Sequence, residues 1–353
     1  MRPDLTKRSD PQPGDAVAVA TPAGDGGRTG HWSEYLGVRQ GHWGEWLRDR
    51  GVYVALALLV LYNVIETPNF VTLETIQLLA VQTSVVIMVS LGMALVIGTG
   101  GVDLSVGAVM AISAAMMAKA FTPEGFGLPI GLAILLAVAL ATAVGAFNGA
   151  VVAVARVQPI VATLAMLVGG RGVALVITGG ALVELFPPFF RTIRESKLLT
   201  LPDIFWLAVV LALAASLLLR RTSFGFRLLA VGGNLRASRL AGVPVQRTLI
   251  TVYAISGFLA GIAGVISTAR IRAADPSYVG LGIELTAITA VVIGGTLLTG
   301  GRVRVLGTVA GAILIQLLEN TLVSQGIRDS IARIVEALII IAAVLVQRPW
   351  RSS

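Results

Sequence analysis

About ten nearly uncharged stretches, each roughly 17 to 25 residues long, follow one another from Val52 to the end of the chain. This succession constrains the fold more than any other feature of the sequence. A hydrocarbon layer about 30 Å thick asks for about 20 apolar residues per helix, and a backbone crossing it must satisfy its own N–H and C=O groups. The stretches lie near residues 50–66, 75–98, 103–120, 129–155, 158–178, 201–220, 247–269, 284–299, 304–325 and 331–347. Only 13% of the 353 residues are charged, against about a quarter in soluble domains. The expected fold class is an all-α polytopic membrane protein of about ten transmembrane helices, with no large soluble domain.

The formal charge of +8 raises the question of nucleic acid, and its distribution answers it. With the N-terminus inside, alternating spans put Arg156, the cluster Arg220, Arg221, Arg227, Arg236, Arg239 and Arg247, then Arg302 and Arg304, and finally Arg348 and Arg351 on the cytoplasmic side. That is the bias toward basic inner loops, so the excess is topological and no nucleic-acid partner is implied. Arg191, Arg194, Lys197, Arg270 and Arg272 fall outside as exceptions. Residues 1–50, rich in Gly, Pro and charge, read as a largely disordered cytoplasmic tail, and residues 51–353 as the membrane domain. Trp43 and Trp46 before Arg48 and Arg50 resemble an anchor against membrane lipids. The chain has no cysteine, and both histidines, His31 and His42, precede the first span. Thiolate and intramembrane histidine metal sites are thereby excluded, and none is expected.

Two segments echo each other at an offset of 200: Thr99-Gly100-Gly101 with Gly107-Ala108-Val109, and Thr299-Gly300-Gly301 with Gly307-Thr308-Val309. Both glycine breaks follow inward-running spans, so the repeat is parallel, as in transporters that build a central pathway between halves. The first break also delivers a carboxylate, Asp103, followed by Ser105. A lone carboxylate at the centre of a membrane helix costs about 3 kcal/mol on insertion scales. Asp103 is open to two readings, a cap on the next helix or a contact with a polar substrate. Gln82, Asn148, Thr163, Arg171 and Glu284 are further intramembrane polar candidates for a substrate pathway. Their donors and acceptors suit sugar hydroxyls and equally suit helix-to-helix hydrogen bonds. Arg333 and Glu336 are spaced to pair on one helix face, and the small-residue run Gly257–Gly264 allows close helix contact.

The longest inner loop, residues 222–247, holds a short helix expected over Leu235–Ala241, capped by Asn234, closed by Gly242 and stopped by Pro244. Asn234, Arg236, Ala237 and Gly242 are the candidate docking residues for a cytoplasmic partner. The chain has three lysines, Lys7, Lys119 and Lys197, and none belongs to a phosphate-binding loop. No ATPase site and no cofactor are expected in this chain.

At these residues the sequence resembles the membrane permease of sugar-importing ABC systems of the ribose, xylose and galactofuranose group. The resemblance runs through Thr99–Ala108, Gln158–Leu164, Arg171-Gly172, Ala230–Asn234, Tyr253 to Gly264 and Glu284–Gly295. It departs at Thr286, where similar permeases carry Asp, and at Arg302-Val303-Arg304, where they carry a glycine-rich turn. Ile271–Asp275 and Phe147–Gly149 look more like the galactofuranose type. The resemblance implies a permease subunit in a prokaryotic inner or plasma membrane, both termini cytoplasmic, that passes an unmodified pentose or furanose-type sugar. It further implies three partners: a second permease copy or paralogue, a cytoplasmic ATPase that binds the ATP, and an extracytoplasmic sugar-binding protein. An ion-coupled secondary sugar transporter is the alternative, and it would want a buried carboxylate network.

Overall fold

The computed structural model describes residues 40–190 and 196–327, and single residues 331, 334, 335, 337 and 338. The chain divides into two units, Met1–Trp43 and Gly44–Ser353, and the description below concerns the second. The expectations for residues 1–39, for Arg191 and Arg194, for the Arg333–Glu336 pair and for most of the tenth span lie outside the described residues.

Among the described residues six helices are long and apolar enough to cross a membrane: α2 (Leu73–Gly98), α4 (Ile130–Ala153), α5 (Pro159–Thr178), α6 (Asp203–Arg221), α9 (Val245–Ile271) and α11 (Val305–Ser324). The remaining helices are α1 (Gln40–Glu66), α3 (Val106–Phe121), α7 (Ser223–Gly233), α8 (Leu235–Leu240) and α10 (Ile283–Ile293). Helix α1 starts ten residues before its expected span, so the end of the supposed tail, Gln40–Arg50, is helical. Once a helix exists inside the membrane, each added residue gains a hydrogen bond without a new nucleus. The eighth expected span is also corrected. Helix α10 has 11 residues rather than reaching residue 299, about 17 Å at 1.5 Å per residue, because Gly294 ends it and Gly295 turns away at φ 83°.

Helix α2 is the buried centre, with every residue from Thr83 to Gly98 buried. It packs against α6, α9, α10 and α11. Where lipid is as apolar as a core, helices associate through close van der Waals contact, which small residues permit. A Cβ on Gly145 of α4 would lie 2.3 Å from the Tyr253 carbonyl of α9, and one on Gly257 would lie 2.5 Å from the Ala141 carbonyl. Gly264 meets the Met110 carbonyl of α3 at 2.5 Å in the same sense. The expected close contact along Gly257–Gly264 is therefore present.

Two ladders of two-residue strands lie at connections between helices and leave the all-α class unchanged. Strand β1 (Val183–Glu184) pairs antiparallel with β4 (Ala273–Ala274), and β2 (Lys197–Leu198) with β3 (Leu201–Pro202). The connection after α5 also sends Leu185 and Phe190 into the core.

Candidate functional site

The glycine breaks converge. The Gly301 N–H donates to the Gly98 carbonyl at 3.0 Å, joining the two repeat segments across about two hundred residues of sequence. Gly232, near the end of α7, lies against both: a Cβ there would be 1.9 Å from the Gly98 carbonyl oxygen and 2.6 Å from the Gly301 nitrogen. Gly300 and Gly301 take φ values of 83° and 78°, a conformation that L side chains rarely adopt. Only glycine backbones can approach so closely. The result is a three-way junction of the α2–α3 turn, the α10–α11 turn and α7.

Helices α7 and α8 are fixed from their own sequence. The Thr222 hydroxyl accepts from the Gly225 N–H at 3.3 Å and the Asn234 side-chain oxygen from the Ala237 N–H at 2.9 Å, each satisfying an orphan first-turn amide. Helix α8 ends at Leu240, with Gly242 at φ 77° just beyond. Asn234, Arg236, Ala237 and Gly242 are all exposed. Arg156, Arg239 and Arg247 surround one cavity at this end of the bundle.

Asp103, Ser105 and Asn148 are brought together in a closed network. One Asp103 oxygen accepts from the Ser105 N–H at 3.1 Å and from the Ser105 hydroxyl at 2.5 Å, and the other accepts from the Ser256 hydroxyl at 2.9 Å. Asn148 Nδ2 donates to the Ser105 hydroxyl at 2.8 Å. All four side chains are buried, so the network ties the start of α3 to α4 and α9. The capping reading needs correction in detail. The residue that caps α3 is Ser105, which makes no side-chain cap bond, and Asp103 stands two residues earlier. Leu104 and Ser105 turn before the helix begins, so the carboxylate holds the turn and not the first-turn amides.

The other candidates lie apart from this network or touch only its edge. The Thr163 hydroxyl is 2.9 Å from the Pro159 carbonyl of its own helix and 3.2 Å from that of Val102. Arg171 of α5 donates through Nη1 to the carbonyls of Pro276 and Val279 at 3.0 and 2.7 Å, and so holds the segment that leads into α10. Glu284, in the first turn of α10, interacts electrostatically with Arg171, while its Oε2 is buried without a hydrogen-bond partner. Gln82 lies elsewhere, near the middle of α2 on the wall of a cavity. Ser256 and Tyr253 stand outside the sequence-based site candidates. Tyr253 is wholly buried in α9 with its hydroxyl unpartnered, 2.8 Å from where a Gly101 Cβ would be. Their signal in the sequence is their place in the resembling segment Tyr253–Gly264, whose run of small residues packing explains equally well.

The sequence pattern of the family described as the branched-chain amino acid transport system permease component matches residues 75–344. The chain belongs to this permease family. The permease is 40% identical over 302 residues to the galactofuranose transporter permease protein of Escherichia coli, covering 83% of this chain and 88% of that one. It is 39% identical over 297 residues to the ribose import permease protein of Escherichia coli, covering 82% and 91%. The fructose import permease protein of Bifidobacterium longum is 36% identical over 267 residues, 74% of each chain. The permease is thus a multi-pass, all-α membrane transport protein.

Proposed function

We propose that this permease is the transmembrane subunit of an ABC importer that carries a pentose or furanose-type monosaccharide into the cytoplasm. A separate ATPase docks on residues 222–247, a binding protein delivers the sugar on the opposite side, and a second permease copy or paralogue completes the pathway. Both termini then face the cytoplasm of a prokaryotic inner membrane.

The observation that carries this reading is the three-way glycine contact. A chain without a phosphate-binding loop needs its driving force from outside, and α7 bears on both repeat turns through backbone atoms alone. Backbone-to-backbone contact has no flexible side chain to absorb a push. Asn234, Arg236, Ala237 and Gly242, exposed beside α7, are the residues a partner would engage. The sugar class follows from the relatives, which are named for galactofuranose, ribose and fructose. Asp103, Ser105 and Asn148 support the pathway by holding the first turn rigid, with both Asp103 oxygens, the Ser105 hydroxyl and Asn148 Nδ2 engaged among themselves and with Ser256.

Proteoliposomes test this directly. The permease with its ATPase and binding protein should accumulate radiolabelled sugar only with ATP, and the permease alone should hydrolyse none. Concentrative uptake by the permease alone, abolished by a proton uncoupler and indifferent to ATP, would establish the ion-coupled carrier instead.

A further inference from the structure

At the end of the bundle away from the glycine turns, a cavity of about 380 Å³ opens between α2, α3, α9, α10 and α11. Its walls come from the middle of α2, the last turns of α9 and α11 and the first turn of α10. We propose that this cavity is a reception site for a neutral polyol, taking the sugar as it arrives from the extracytoplasmic side. The inference rests on the import reading above and adds to it a place and a set of residues.

The chemistry of the wall selects the ligand class. Gln82 Oε1 is buried without a donor, and an unpaired buried acceptor is destabilising until a donor arrives. Asn320 spends its Nδ2 on the Gln316 carbonyl at 2.9 Å, and Gln316 spends its Nε2 on Glu319 at 3.2 Å. Each amide thus commits one of its two N–H donors to the protein. Their side-chain oxygens and the Thr286 hydroxyl accept no hydrogen bond among the described residues, so the wall presents free acceptors beside its remaining N–H donors. A sugar, with several O–H donors, matches such a wall.

An amino acid matches it poorly. Its carboxylate would meet several acceptors and one cation, Arg270, which is already attracted to Glu319. Among the described residues of the wall, one cation, Arg270, is balanced by one anion, Glu319. The volume suits a monosaccharide, and Tyr278, 65% exposed, offers a ring face to the apolar C–H side of a sugar. Thr286 adds an uncharged hydroxyl to the wall.

The test uses the assembled complex and the absence of native cysteine. Thr286→Cys and, independently, Asn320→Cys are labelled in membranes with a methanethiosulfonate reagent. The probe is whichever of D-ribose, D-fructose, D-galactose and L-arabinose the complex imports best, with L-leucine in parallel. The expected result is labelling slowed at least threefold by the imported sugar and unchanged by leucine. Adding Gln82→Leu, which removes one acceptor, should raise the half-protecting sugar concentration about fivefold. If the complex imports a sugar that protects neither cysteine, and Gln82→Leu and Thr286→Val import it as the parent does, the cavity is not a reception site and the import reading stands. If the complex imports leucine and none of the four sugars, the import reading fails and this inference with it.

Discussion

Gly232→Ala adds one methyl at the three-way junction, and its neighbour Gly233→Ala adds the same methyl one residue away. At Gly232 the new carbon would lie 1.9 Å from the Gly98 carbonyl oxygen and 2.6 Å from the Gly301 nitrogen, whereas at Gly233 it would meet nothing within 4 Å. Ordinary contact begins near 3.4 Å, so α7 and the first turn must separate by about 1.5 Å. Neither obstacle is the end of a flexible side chain; both are backbone, bonded to each other at 3.0 Å. Overpacking of this kind costs about 1–3 kcal/mol, and the Gly301–Gly98 bond adds about 1 kcal/mol if it opens. The least costly relaxation lifts α7 off the turns, since α7 is held there by fewer neighbours than the membrane helices. In the complex with ATPase and binding protein, Gly232→Ala should keep ATP hydrolysis within about twofold and lower sugar uptake about tenfold or more, a loss of at least 1.4 kcal/mol in coupling. Gly233→Ala should match the parent in both, or gain slightly in stability from its better helix propensity. Parental uptake in Gly232→Ala, or equal damage in the two variants, would refute transmission through this junction.

Asp103→Asn keeps an acceptor for the Ser105 N–H and leaves Ser256 free to rotate and accept, so uptake and melting temperature should stay close to the parent. Asp103→Leu leaves the Ser105 and Ser256 donors unpaired in a buried site, about 1–3 kcal/mol each, and should lower the melting temperature and abolish uptake. A well-folded Leu variant that fails only in uptake would give Asp103 a substrate role instead. Gly257→Val, placing its side chain 2.5 Å from the Ala141 carbonyl, should prevent assembly by prising α4 from α9, as a loss of folded protein in size-exclusion chromatography would report. Ala237→Glu should weaken ATPase association or uncouple hydrolysis while leaving binding-protein docking intact. Single cysteines at Arg236 and Ala237 should crosslink to the ATPase and resist labelling from outside intact cells; outside labelling would invert the topology.

The membrane makes some features of this protein readable from one dimension. Each crossing needs its own apolar run, so the spans of α2, α4, α5, α6, α9 and α11 stand out without knowledge of their neighbours. Local chemistry is equally legible: Asn234 capping α8 three residues ahead, Gly242 closing it, and the small residues of Gly257–Gly264 that let α9 approach α4. The repeat at offset 200 announces two similar turns. Yet nothing in the sequence says that these turns hydrogen-bond to each other, or that Gly232 joins them. The same holds for Ser256, 153 residues from the carboxylate it binds, for the Pro276 and Val279 carbonyls that receive Arg171, and for the grouping of Gln82 with Thr286 and Asn320 around one cavity. In a soluble helix the polar face would betray which side is buried. In a bilayer both lipid and core are apolar, so hydropathy marks where a helix crosses but not which way it faces. Neighbours, and with them the sites, are decided only when the helices pack.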